Sequence, residues 1–333
     1  MSAMRRPAIL IAALAVLGSA LTACGSQPRE ANSAVIIGNR VVSVDDVQAK
    51  LETALNKEPA ARELAKSHKL DLVSRSIVTQ LVRHELITEV AKRENLTVSE
   101  KDVEEALAAN APAEDPVQRS VQAAFDPREY ARDQLLTQRL GQKYRTKLEI
   151  TFDGATVRSV ADAKTRSIDL AKKIAAEPAK VNDILRAASA DAPEGSINLA
   201  PDQTLSPVST YQIAAENNGQ VLLTPVFAAD ADTVVAFPYA SSEQAGSSLW
   251  LVALITKRDT NAALPEDQAS VAAEVSPLWD GLVGTHVMGP AVTDLGVKVS
   301  PRYGVWDELN VSVAPSEDEK IGVLLPAGGQ QQQ

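Results

Sequence analysis

The chain has 333 residues, 45% of them apolar and only 4% aromatic, with a net charge of −10. Its apolar content suffices for a real core and excludes wholesale disorder, and its length suits two or three modest domains better than one. The lack of a basic stripe argues against nucleic acid as a partner, and the scarcity of aromatics argues against sugar stacking or an aromatic ligand cage.

At the N terminus, Arg5 and Arg6 precede an apolar stretch from Pro7 to Leu21 that no acidic residue interrupts. The stretch has the length of a signal-peptide h-region and is too short for a transmembrane helix. It closes on Leu21-Thr22-Ala23-Cys24, and Cys24 is the sole cysteine. This segment resembles a bacterial lipobox. The resemblance implies a leader over 1–23, cleavage before Cys24 and a diacylglycerol thioether on its sulfur. The expected location is the cell membrane, lipid-anchored and facing outside the cytoplasm. Two acyl chains hold firmly, whereas the acidic protein gains nothing from anionic lipid. An acylated Cys24 leaves no thiol for a nucleophile, a disulfide or a metal. Residues 24–33 read as a flexible tether.

Two short apolar runs flank Gly38-Asn39, which predicts a hairpin over Ala34 to Val42. Ser43 and Asp46 then form a capping signal for a helix to about Asn56, with Pro59 closing the connection. A long helix is expected from about Lys69 to Asn95. Val73, Ile77 and Leu81 repeat along it at helical spacing, and Leu86, Ile87 and Val90 continue a wide apolar face. Such a face is either buried in a bundle or lines a cleft for a partner. Ser99 and Asp102 cap the next helix, a Pro-bearing acidic loop spans Ala111 to Pro116, and a further helix runs from Pro127 to Leu148.

The pattern then changes. Leu148 to Phe152 alternates with period two and reads as a strand. Val160 to Ala175 and Val181 to Ala190 read as helices, Asp191 to Gly219 as loop, and Val221 to Leu223 and Thr233 to Phe237 as short strands. Leu249 to Ile255 is the clearest strand. Pro265 to Leu295 is helical with a break at Gly289-Pro290, Val297 to Asp307 is strand and turn, and 315–333 is polar and expected to be disordered.

This order resembles the SurA/PrsA class of extracytoplasmic chaperones, and in particular SurA N-terminal-domain lipoproteins of high-GC Gram-positive bacteria. Val35 to Ser43 fits the apolar hairpin with which such proteins begin. Gln80 to Ile87 resembles the helix before a short break, Leu96 to Val103 the phrase opening the next helix, and Val297 to Asp307 the closing phrase. The resemblance implies an α+β fold, mainly α-helical: a SurA-like helical domain over 34–149, completed by a returning helix and strand over 261–314. Residues 150–260 would form an inserted, degenerate parvulin-like α+β module. Active parvulins carry histidines in their first and last strands. Here Leu148 to Phe152 and Leu249 to Lys257 fall at those strands and hold none, with Trp250 close to one expected position.

No catalytic residue, metal or cofactor is expected. His68, His84 and His286 are scattered without metal spacing; His84 reads as a helix histidine paired with a carboxylate. Asp45-Asp46 lacks the spacing of a calcium loop and reads as capping. No nucleophile elbow or phosphate loop is present. Trp279, Trp306 and Tyr303 read as core anchors. The expected function is ATP-independent holding of unfolded or exported polypeptides, with Val73, Ile77 and Leu81 as client-binding candidates. A divergent parvulin-type prolyl isomerase and a lipoprotein dedicated to one envelope partner are the alternatives.

Overall fold

The computed structural model describes residues 32–109, 111–159, 162–242 and 247–329. The chain opens on an antiparallel hairpin of β1 (Ser33–Ile37) and β2 (Arg40–Ser43). Gly38 at φ +55 makes the reversal. Helix α1 (Val44–Lys57) starts at the foreseen capping box: the Ser43 hydroxyl accepts the Asp46 N–H, and the Asp46 carboxylate accepts the Ser43 N–H. Pro59 does not merely close the connection. It occupies the first turn of α2 (Pro59–Lys66), where its missing N–H is no loss.

Helix α3 (Leu70–Arg93) crosses the centre of the helical part. It is followed by α4 (Glu100–Ala109), capped reciprocally by Ser99 and Asp102. Helix α5 (Pro116–Ala124) was not foreseen; Asp115 caps it and Pro116 opens it. Helix α6 (Pro127–Tyr144) is capped in the same way by Asp126, whose carboxylate accepts two backbone N–H groups.

Strand β3 (Glu149–Ser159) then begins a five-stranded antiparallel sheet. Helices α7 (Ala163–Ala176) and α8 (Val181–Ala190) follow. The stretch expected to be loop instead holds strand β4 (Ile197–Leu205) and helix α9 (Pro207–Glu216). The physical reasons are local: β4 is an edge strand and tolerates polar residues and Pro201, while Ser206 and Ser209 form a capping box with Pro207 in the first turn. Strands β5 (Thr233–Ser242) and β6 (Ser247–Asp259) complete this run. Val221 makes only an isolated bridge to Ala240.

The C-terminal part returns to the beginning. Helices α10 (Ala269–Glu274), α11 (Pro277–Val287) and α12 (Gly289–Leu295) lead into β7 (Val297–Val299). Strand β7 pairs with β1, so segments about 260 residues apart share one small sheet, ordered β2-β1-β7. Strands β8 (Val305–Asp307) and β9 (Ser312–Ala314) form a hairpin lying on α3. The expectation of a disordered tail is corrected through Gly329. Strand β10 (Val323–Pro326) pairs with β5 and gives the large sheet its order, β10-β5-β6-β3-β4. The segment is anchored because Lys164 Nζ donates to the Lys320 carbonyl at 3.0 Å and the buried Asp307 accepts the Ile321 N–H at 2.7 Å. Polar composition hid a strand whose Val323 and Leu325 pack on one face of the sheet and Leu324 on the other.

The protein is thus α+β, and the large sheet is covered on both faces. Val234, Ala236, Val252 and Leu254 face α7 and α8, while Val235, Phe237, Leu251 and Ile255 face a core continuous with the helical part. Period-two alternation places apolar residues on both sides of β5 and β6, which marks a strand buried on two faces.

Candidate binding cleft

Helices α6 and α11 come from distant parts of the sequence and interlock through glycine. A methyl on Gly141 would strike the Asp280 backbone, and one on Gly284 would strike Thr137. Each helix therefore lays a glycine against the main chain of the other, one turn apart. Glycine inside a helix weakens it by about 1 kcal/mol, so these positions signal close approach. Arg145 reinforces the crossing with its guanidinium 3.2 Å from the buried Asp280 carboxylate. Burial pushes the Asp280 pKa up.

Beyond the crossing the two helices and α3 enclose an open cleft of about 350 Å³. Its apolar surface comes from Tyr130, Leu278, Leu282 and Met288, and its polar surface from Gln80, Gln134, Thr137, Gln138 and Thr285. Leu278 stands on the rim with 75% of its surface exposed, the most exposed large apolar residue among those described. Its place follows from the cap: Ser276 accepts the Trp279 N–H, Pro277 opens the helix, and Trp279 turns inward to donate to the Pro207 carbonyl. Leu278 is left facing water.

The two charged lining residues are committed inside the protein. Arg83 donates from Nε to the Val311 carbonyl at 2.8 Å and from its terminal nitrogen to Asn310 at 3.2 Å. It thereby fixes Val311 at φ +48, a conformation that β-branched residues avoid. The buried Asp133 lies 2.9 Å from His84 Nδ1 and accepts from Gln80 at 3.4 Å. His84 Nε2 is 3.4 Å from Glu129 and 3.9 Å from Glu85, which in turn pairs with Arg40. The hydrogen bond to Asp133 raises the His84 pKa, opposed in part by burial and helped by the surrounding carboxylates. The arrangement can hold an uncharged segment by apolar contact and amide hydrogen bonds.

The expected client-binding residues stand elsewhere. Val73 and Ile77 are fully buried in the core and Leu81 packs partly buried against it. Val73 and Ile77 thus pack inside the fold, while Leu81 keeps partial exposure and the polar neighbours Gln80 and Arg83 reach the cleft. The tetrad Leu21, Thr22, Ala23 and Cys24 lies outside the described residues. His286 is buried and bonded through Nδ1 to the Leu282 carbonyl, while His68 is exposed. Trp279, Tyr303 and Trp306 are buried in the core. Among the described residues, no cluster of His, Cys, Asp or Glu is arranged to hold a metal, and no helix is long and apolar enough to cross a membrane.

In the large sheet, β3 and β6 are paired neighbours, with Phe152 opposite Ile255 and Val157 opposite Trp250. The resemblance to parvulins assigns catalytic histidines to the first and last strands. The inward positions here are Ile150, Phe152, Leu251, Ala253 and Ile255. Sequence reading missed Gln134, Gln138 and Leu278. Two signals were available: the spacing Tyr130, Gln134, Gln138, Gln142, and an apolar residue next to a Ser-Pro helix start.

Comparison with protein-family models and with curated proteins finds no match. Among solved structures, the chain is similar to the foldase protein PrsA from Lactococcus lactis, at 13% identity over 80% of this chain and 94% of that one, with a TM-score of 0.18. A superposition that loose defines neither a shared fold nor a shared activity.

Proposed function

We propose that this protein is a lipid-anchored extracytoplasmic holding chaperone, tethered through Cys24, that captures unfolded segments of exported or envelope proteins without ATP. The observation that carries the reading is the cleft between α6 and α11, with apolar lining, neutral amide and hydroxyl groups and Leu278 exposed on its rim. Surfaces of this kind bind through apolar area and permit release, because each contact contributes only about 25 cal/mol per Å² buried. The lipobox supports the membrane location, and the order of hairpin, helices and returning segment supports a SurA/PrsA-like reading. A histidine-free β3 and β6 favour holding over prolyl isomerisation.

The test is light scattering from a chemically unfolded reporter protein, with the full chain carried in lipid nanodiscs and empty discs as control. Suppression in proportion to dose, reaching completion near stoichiometric amounts, is the expected result. Replacing Leu278 with serine is expected to raise the amount needed about fivefold, from the loss of about 1 kcal/mol of apolar contact. The melting temperature should stay unchanged, because the side chain is exposed in the folded protein. Suppression equal to that of empty discs would overturn the holding reading. Saturable capture of one envelope protein, with no effect on the reporter, would replace it with a dedicated partner-binding role.

A further inference from the structure

Helix α6 carries Tyr130, Gln134, Gln138 and Gln142 at successive i,i+4 positions. Residues so spaced form one ridge along a helix. The ridge borders the cleft on one side, and on the other its glutamines line a second open depression, of about 570 Å³, beside α4. No described residue hydrogen-bonds the Gln138 carboxamide, which is half-buried beside Gly281, and Gln134 is exposed.

A carboxamide offers two donors and an acceptor. An extended polypeptide offers the matching acceptor and donor every second residue along one edge. The spacings agree: four helical residues rise about 6.0 Å, and two extended residues advance about 6.6 Å. Charge complementarity points to an uncharged occupant. Arg83 and Asp133 are the charged residues at the cleft, and both are already hydrogen-bonded within the protein.

We propose that Gln134 and Gln138 form a carboxamide ladder that grips an uncharged, extended polypeptide segment by its backbone, with alternate apolar side chains set beside Leu278 and Leu282. The proposal rests on the holding reading and names how the segment is held. It explains how one surface would serve many sequences, since the backbone is common to all of them.

The probe is a fluorescein-labelled decapeptide of alternating leucine and serine, together with a twin methylated on alternate backbone nitrogens. Both are titrated by anisotropy against the full chain in nanodiscs. The parent peptide is expected to bind about tenfold more tightly than its twin, the worth of one or two hydrogen bonds. The double variant Gln134→Leu, Gln138→Leu should bind both peptides with the weaker affinity. Leucine is a good helix former, and an unchanged thermal melt would confirm that the variant is folded. Equal binding of parent and twin by the native chain, or a double variant that still discriminates between them, overturns the ladder and leaves holding intact. Failure to bind the parent peptide also overturns the ladder, and the reporter assay then decides separately whether holding survives.

Discussion

Replacing Gly284 with valine should destabilise the protein by about 3 kcal/mol or more and release α11 from α6. The new side chain would strike the Thr137 carbonyl, which is main chain and cannot rotate away. Overpacking of a close contact typically costs 1–3 kcal/mol, and here the helix axes must also separate. Separation strips the Arg145–Asp280 pair of its geometry and leaves a buried carboxylate poorly matched. At about 2–4 °C per kcal/mol, the melting temperature should fall by about 6–12 °C. Gly281, on the same helix, is the internal control. A methyl there would meet only the Gln138 side chain, at 3.8 Å, so Gly281→Ala should be neutral or slightly stabilising, from improved helix propensity. Calorimetry of both variants checks the claim. Equal melting temperatures for Gly284→Val and the native chain would show that the helix crossing tolerates a larger side chain and does not depend on Gly284. Because the cleft exists only while the two helices meet, Gly284→Val should also abolish reporter protection.

The crossing illustrates what the sequence conceals. Gly141 and Gly284 are far apart in the chain, and nothing local announces that they face each other. Their residence inside helices is the sole clue, and it becomes legible only once both helices are assigned. Local signals fared better. The Ser43–Asp46 and Ser99–Asp102 boxes start helices where they were expected, because capping is a contest over a few backbone N–H groups decided within four residues. The hairpin at Gly38 and the strand through Leu249 to Ile255 were equally plain. Edge strands were not. In β4, Pro201, Asp202 and Gln203 depart from strand composition, since one side of an edge needs no partner. Strand β10 was masked by its acidic and Gly-rich flanks. The site was less legible than the fold for a related reason. Val73 and Ile77 show the strongest apolar periodicity, and that same strength commits them to the core. A binding surface must be mixed enough to stay exposed, so its pattern is weaker than that of the core supporting it.

Stability should peak near pH 6.5, because two histidines pull in opposite directions from their common unfolded pKa of about 6.5. His286 is buried, and burial depresses its pKa to about 4. Between those two values the unfolded chain takes up a proton that the native protein refuses. Stability therefore falls as the pH drops from about 6.5 to about 4, by about 3 kcal/mol in all. His84 has the reverse sign. Its pKa is raised by Asp133, so its contribution is complete below about 6.5 and is lost as the pH rises through its folded value. Urea unfolding at half-unit steps from pH 5 to 9 checks both arms. His286→Leu should flatten the acid limb while leaving the alkaline limb as it was. His84→Gln should do the opposite. The two arms differ in kind: protonation of His286 would place an imidazolium against the Leu282 carbonyl in the core, whereas neutral His84 keeps its hydrogen bond to Asp133 through Nδ1–H. An imidazole resonance of His286 that titrated with a midpoint near 6.5 in the native protein would remove the basis for that limb. A stability profile unchanged by His286→Leu would do the same.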